Sequence, residues 1–135
     1  MPRAAIRDNG AMVVMQPDEM NAAFAEAVSS GDVERMLALY EPDALLAPRP
    51  GERARGHGEI RVALGELLAL GGVMESRNVW CMQVGELALL RGEWRLSATT
   101  ADGAPLELSS RTAEVVRRQP DGSWRYVLDH AFGDD

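Results

Sequence analysis

The chain has 135 residues, 46% hydrophobic and 26% charged, with a formal net charge of −7, which suits one globular domain with a single core and excludes extensive disorder. An acidic surface repels phosphate backbones and anionic membranes, and no apolar run is long enough for a bilayer span, so no nucleic-acid or membrane partner is expected and a cytoplasmic location is. All 14 basic residues are arginine, and without lysine there is no Schiff base and no Gly-Lys-Ser/Thr phosphate loop.

Residues 1–17 read as an N-terminal arm or a short extra strand, with no clear period up to residue 15 and a turn signal at Asp8-Asn9-Gly10. After Pro17, apolar residues at Met20, Ala23, Phe24, Ala27 and Val28 mark a helix with one buried face, which Ser29-Ser30-Gly31 stops. Asp32 can cap a second short helix with the stripe Val33, Met36, Leu37 and Tyr40, ended by Pro42. Asp43-Ala44-Leu45-Leu46-Ala47 reads as a brief strand before the turn Pro48-Arg49-Pro50-Gly51. A third helix carries Ile60, Ala63, Leu64, Leu67 and Leu68 and closes at Gly71-Gly72. His57 sits at its entry, where turn formers are usual.

From Val73 onward the period becomes strand-like, with breaks at Gly85-Glu86, Ala101-Asp102-Gly103 and Pro120-Asp121-Gly122. These breaks predict a meander of four long strands over 73–84, 87–100, 106–119 and 123–131. Strands of that length twist and curl, so the expected fold is α+β: a cone-shaped, curved antiparallel sheet covered by three N-terminal helices, with an apolar interior. The lone Cys81, between Trp80 and Met82, has no disulfide partner in the chain and is expected to be a buried structural thiol. Two histidines and one cysteine, far apart, show no ligand spacing. Neither metal nor cofactor is implied.

The order of helix, glycine corner, helix, Leu39-Tyr40-Glu41-Pro42-Asp43-Ala44, Pro-Gly turn, Gly56–Ile60 helix entry and a meander ending Asp121-Gly122-Ser123-Trp124-Arg125 resembles the nuclear transport factor 2-like superfamily, in its SnoaL-like and ketosteroid-isomerase-like branch. The resemblance covers residues 18–133 and implies a cone with one small-molecule pocket per subunit. It carries over unevenly to the catalytic positions of ketosteroid isomerases. Their tyrosine falls on Phe24, which has no hydroxyl, and their general base falls on Ala47 or Pro48, neither of which takes a proton. Their neutral acid falls on Glu114, which burial could keep protonated. Steroid-type allylic isomerisation is therefore not expected.

Asp129-His130 is the best acid–base dipeptide in the chain, but neighbours in a strand face opposite ways. The face Trp124, Tyr126, Leu128, His130 favours His130 inward, whereas the resemblance favours Asp129; the sequence leaves the parity open. The candidate catalytic residues are thus Glu114, Asp129 and His130, and the expected pocket wall comprises Phe24, Tyr40, Trp80, Leu90, Trp94, Leu96 and Thr112. The expected ligand is a small apolar carbonyl-bearing or ring compound; the alternative is a non-catalytic ligand-binding or dimeric assembly domain. Apolar residues on both strand faces, Leu87 and Leu89 on one and Leu90, Trp94 and Leu96 on the other, lead to the expectation of a homodimer.

Overall fold

The computed structural model describes residues 5–6 and 12–133 of the chain. The turn signal Asp8-Asn9-Gly10 lies outside the described residues, between two short antiparallel strands, β1 (Ala5–Ile6) and β2 (Met12–Val13). A 3-10 turn over Pro17–Glu19 leads into α1 (Met20–Ser30). Gly31 ends α1 with a left-handed φ of 73°, where any side chain would be strained. Asp32 then starts α2 (Val33–Leu37), accepting the backbone N–H groups of Glu34 and Arg35 at 3.0 and 3.3 Å.

Tyr40 departs from the expected pattern. It opens β3 (Tyr40–Ala47) instead of closing α2, and β3 runs parallel to the last strand, β9 (Trp124–His130), so the sheet is mixed rather than wholly antiparallel. Pro42 has no N–H for a ladder, and it falls in an irregular stretch where β3 advances from Tyr40 to Leu45 while β9 advances only from Tyr126 to Leu128. After β4 (Ala54–Arg55), α3 (Gly56–Leu68) packs on β3 and buries Ile60 and Leu64. His57 ties this junction together, its Nε2 lying 2.9 Å from the Tyr40 carbonyl oxygen.

The meander follows as β5 (Val73–Val84) and β6 (Leu87–Thr99). The expected third strand breaks at Thr112 into β7 (Pro105–Arg111) and β8 (Ala113–Arg118). Both pieces pair with β6, joined by reciprocal bonds: Thr112 N–H donates to the Gly92 carbonyl at 2.9 Å, and Gly92 N–H donates to Thr112 Oγ1 at 2.8 Å. Only β8 continues to β9, giving the order β4-β3-β9-β8-β6-β5 with β7 beside β6. This is an α+β fold with three helices against a curved, open sheet. Its core joins Met20, Val28, Met36 and Ile60 of the helices to Leu90, Leu96, Val116 and Tyr126 of the strands. Among the described residues, no helix is long and apolar enough to cross a membrane.

Candidate functional site

Asp129 owes its position to one extra residue in β9. Trp124 and Tyr126 are buried, and strict alternation would send Leu128 and His130 the same way. Instead Val116 pairs with Tyr126 while Val115 pairs with Leu128, which leaves Val127 as the surplus residue of a β-bulge. Beyond the bulge the parity is reversed: Leu128 is exposed and Asp129 is buried. On the neighbouring strand Glu114 is buried with Thr112 and Val116, directly opposite Asp129 in the ladder. Two carboxyl groups from adjacent strands therefore share one inner face, and both line a cavity of about 340 Å³ between that face and the helices.

Each acid has its own hydrogen-bond donor. The Tyr40 hydroxyl donates to Asp129 Oδ2 at 2.6 Å, and Asn21 Nδ2 donates to Glu114 Oε1 at 3.3 Å. Asn21 Oδ1 in turn accepts the Tyr126 hydroxyl at 2.7 Å. The Tyr40 and Tyr126 rings lie 5.0 Å apart, and Phe24 meets both edge-on at 6.3 and 6.2 Å. Phe24 thus packs where the resemblance looked for a hydroxyl, while β3 and β9 supply the hydroxyls instead.

Burial is the main cause pushing the Glu114 carboxyl up to about 8; the Asp129 charge adds to it, against the pull of Thr112, Asn21 and Arg91. Burial also pushes Asp129 up to about 6, opposed by the Tyr40 hydrogen bond. Both tyrosines are raised well above their ordinary range, by burial first and then by Asp129, so they remain protonated donors. Both carboxyls are thus pushed toward keeping a proton above the ordinary carboxylate range, burial being the main cause for each.

The rest of the wall is mostly apolar: Phe24 of α1, Leu64 and Leu67 of α3, Leu46 and Pro48 from β3 and its turn, and Met74 of β5. Trp94 closes one side, its Nε1–H donating to the Ala131 carbonyl at 2.9 Å and its ring meeting Phe132 edge-on at 5.6 Å. Arg49 and Glu66 also line the cavity and pair with each other at 3.3 Å. Among the described residues, no group of three His, Cys, Asp or Glu side chains comes together as a metal centre.

Of the residues singled out from the sequence, Phe24, Trp94, Thr112, Glu114 and Asp129 line the cavity. Tyr40 lies behind it with its hydroxyl on Asp129, and Leu90 and Leu96 are core residues away from the lining. Trp80 is a correction. β5 also carries a bulge, since Asn78 pairs with Gly92 but Trp80 with Arg91; the surplus Val79 turns Trp80 to the outer face, where it is 40% exposed. The same bulge brings Cys81 inward opposite Leu90, half-buried, and burial pushes its thiol up. His130 is a second correction: it lies outside the cavity lining, its Nδ1 accepting the Phe132 N–H at 3.3 Å. Asn21 was not singled out, although it stands three and seven residues before Phe24 and Val28, a polar residue on an apolar stripe.

A family model described as SnoaL-like domain matches residues 21–127. The chain is 32% identical over 92 residues to the carbamoyl phosphate synthase large chain of Bifidobacterium animalis subsp. lactis; the match takes in 68% of this chain and 8% of that one, so the chain spans a small fraction of the curated relative it matches. Among solved structures it is similar to a candidate calcium/calmodulin-dependent protein kinase type II association domain from Thiobacillus denitrificans (TM-score 0.73, 18% identity, 90% of this chain and 97% of that one). It is likewise similar to a nuclear transport factor 2-like superfamily protein from Salmonella enterica (0.72, 18%, 86% and 87%). A third is a candidate dehydratase of that family from Streptomyces avermitilis (0.70, 20%, 84% and 90%). At these identities the likeness shows the fold.

Proposed function

The chain belongs to the SnoaL-like family, and from that premise we propose that it is a small-molecule enzyme working by acid–base chemistry on an apolar compound with a carbonyl group. Asp129 takes a proton from the carbon beside the carbonyl, and Glu114 gives its proton to the carbonyl oxygen, forming an enol that isomerase, cyclase or dehydratase reactions each continue from. The observation that carries this reading is the cross-strand acid pair in one apolar cavity, each carboxyl with a separate donor. Two acids whose surroundings push them apart divide naturally into an acid and a base near neutral pH. The cavity volume falls at the lower end of small-molecule sites, and Phe24 and Trp94 in its wall suit a ring. The three-residue constellation of ketosteroid isomerases is not reproduced at Phe24, Ala47 and Pro48, so the base and the acid of this proposal are Asp129 and Glu114 instead.

The test is native mass spectrometry of the purified chain to find a co-purifying small molecule, followed by turnover of that compound and its carbonyl analogues. Glu114→Gln and Asp129→Asn should each lower kcat by roughly 10²–10⁴-fold, the usual contribution of a positioned acid or base. Unchanged turnover in both variants would overturn the reading.

We also propose that the chain forms a homodimer through the outer face of its sheet. Trp80, Met82, Val84, Leu87 and Leu89 stand there between 40% and 78% exposed. The register places Met82 beside Leu89 and Val84 beside Leu87, so they form one patch, of a kind that usually marks an interface.

A further inference from the structure

We propose that Asn21 is a positioning residue that decides which oxygen of Glu114 carries the proton, and that Tyr126 sets Asn21 for this task. The inference rests on the reading of Glu114 as the acid and deepens it.

Asn21 is buried at the start of α1, and its amide has two unlike ends, an oxygen that accepts and an NH2 that donates. The Tyr126 hydroxyl, itself buried, donates to the oxygen end at 2.7 Å. That bond turns the NH2 end toward Glu114 Oε1, 3.3 Å away. An oxygen that accepts an amide N–H is the carbonyl oxygen of a neutral acid, so the proton is left on Oε2. Were the amide reversed, its oxygen would face Glu114, accept the acid's proton and withdraw it from the cavity.

The surrounding backbone is fitted to this arrangement. A Cβ at Gly92 would stand 2.7 Å from Asn21 Nδ2, so only the bare backbone of glycine leaves the amide its place. Thr112 Oγ1 already accepts the Gly92 N–H, which leaves the threonine proton free to donate toward Glu114. The groups acting on Glu114 are thus Asn21 from α1, Arg91 from β6, Thr112 from the strand joint and Asp129 from β9, with Tyr40 behind Asp129.

The test is NMR on the intact chain, following the Asn21 side-chain amide protons and the Glu114 carboxyl carbon through a pH titration. One Asn21 amide proton should move with the Glu114 midpoint. Tyr126→Phe removes the hydroxyl that orients the amide while keeping the ring. It should raise the Glu114 midpoint by about one pH unit, the scale of a hydrogen bond to a charged group, and lower kcat with KM little changed. Asn21→Leu should raise the midpoint similarly, and with Leu at position 21 the Tyr126→Phe change should add nothing, because the two act in series. Asn21 amide protons that stay still while Glu114 titrates, or a Tyr126→Phe variant with the wild-type midpoint, would overturn the inference, and both can be read even if Asn21→Leu fails to fold. If these shifts occur but Glu114→Gln retains turnover, the proton placement stands and the catalytic reading falls; if Glu114→Gln abolishes turnover while the Asn21 amide stays silent, the reverse holds.

Discussion

Leu90, Glu114 and Asp129 lie side by side across the inner face of β6, β8 and β9, and Leu89, Val115 and Leu128 lie side by side across the outer face of the same strands. On the inner face two acids are taken out of water, and each is met by a named donor, Asn21 or Tyr40. On the outer face the arrangement is inverted, with Leu89 and Leu128 exposed and Arg117 paired with exposed Leu87 on the same strands. A buried carboxyl with few partners costs stability, and an exposed leucine patch gains nothing until something covers it. On the proposed reading, the inner face carries the chemistry and the outer face the association.

The largest expected effect concerns the inner face and pH. With carboxyls raised in the folded chain, the folded state keeps protons that the unfolded state has released, so stability falls as pH rises from the ordinary carboxylate range toward about 8. The slope approaches about 1.4 kcal/mol per pH unit for each proton so held. Denaturant melts at several pH values should show this fall, and Glu114→Gln should flatten most of it. A stability that rises across the same window would break the contrast between the faces.

The outer face should respond to charge instead. Met82→Arg combined with Leu89→Arg is expected to raise the dimer dissociation constant by at least about a hundredfold, the scale of burying unpaired charge in an apolar interface. Sedimentation would read this as monomer at tens of micromolar, and the Glu114 titration should stay in place. A wild-type chain already monomeric at that concentration would refute the assignment. A smaller effect sharpens the inner face: Tyr40→Phe removes the donor that favours charged Asp129 and should raise its midpoint by about one pH unit, with no change in oligomeric state. A midpoint that falls would contradict the hydrogen bond's role.

The helices, the glycine corner and the hairpin turns were legible because each rests on local signals, a 3.6-residue stripe or a glycine with positive φ. Glu114 shares strand parity with Thr112 and Val116, and the resemblance, not the parity, marked that face as the inner one; all three are buried. The miss at Trp80 and the parity left open at Asp129-His130 share one cause: β-bulges at Val79 and Val127 shift register, and strand parity read from sequence assumes no shift. Tyr40 was missed for another reason, because its place on an apolar helical stripe hid a strand that begins there. The parallel pairing of β3 with β9 joins segments far apart in the chain, which no local pattern encodes. Asn21 and Gly92 did leave a trace, a polar residue on an apolar stripe and a glycine inside a long strand, but their relation exists only once α1 lies across β6.

Carboxyl-carbon NMR titration of the wild-type chain tests the acid pair most directly, with Glu114→Gln and Asp129→Asn used to assign the two signals. The expected result is two midpoints above the ordinary carboxylate range, near 8 for Glu114 and near 6 for Asp129, so that one proton and one charge share the cavity near neutral pH. A Glu114 midpoint at or below the unperturbed value of roughly 4.3 would mean a charged, solvated or ion-paired side chain, and would contradict the buried acid on which the proposed chemistry depends.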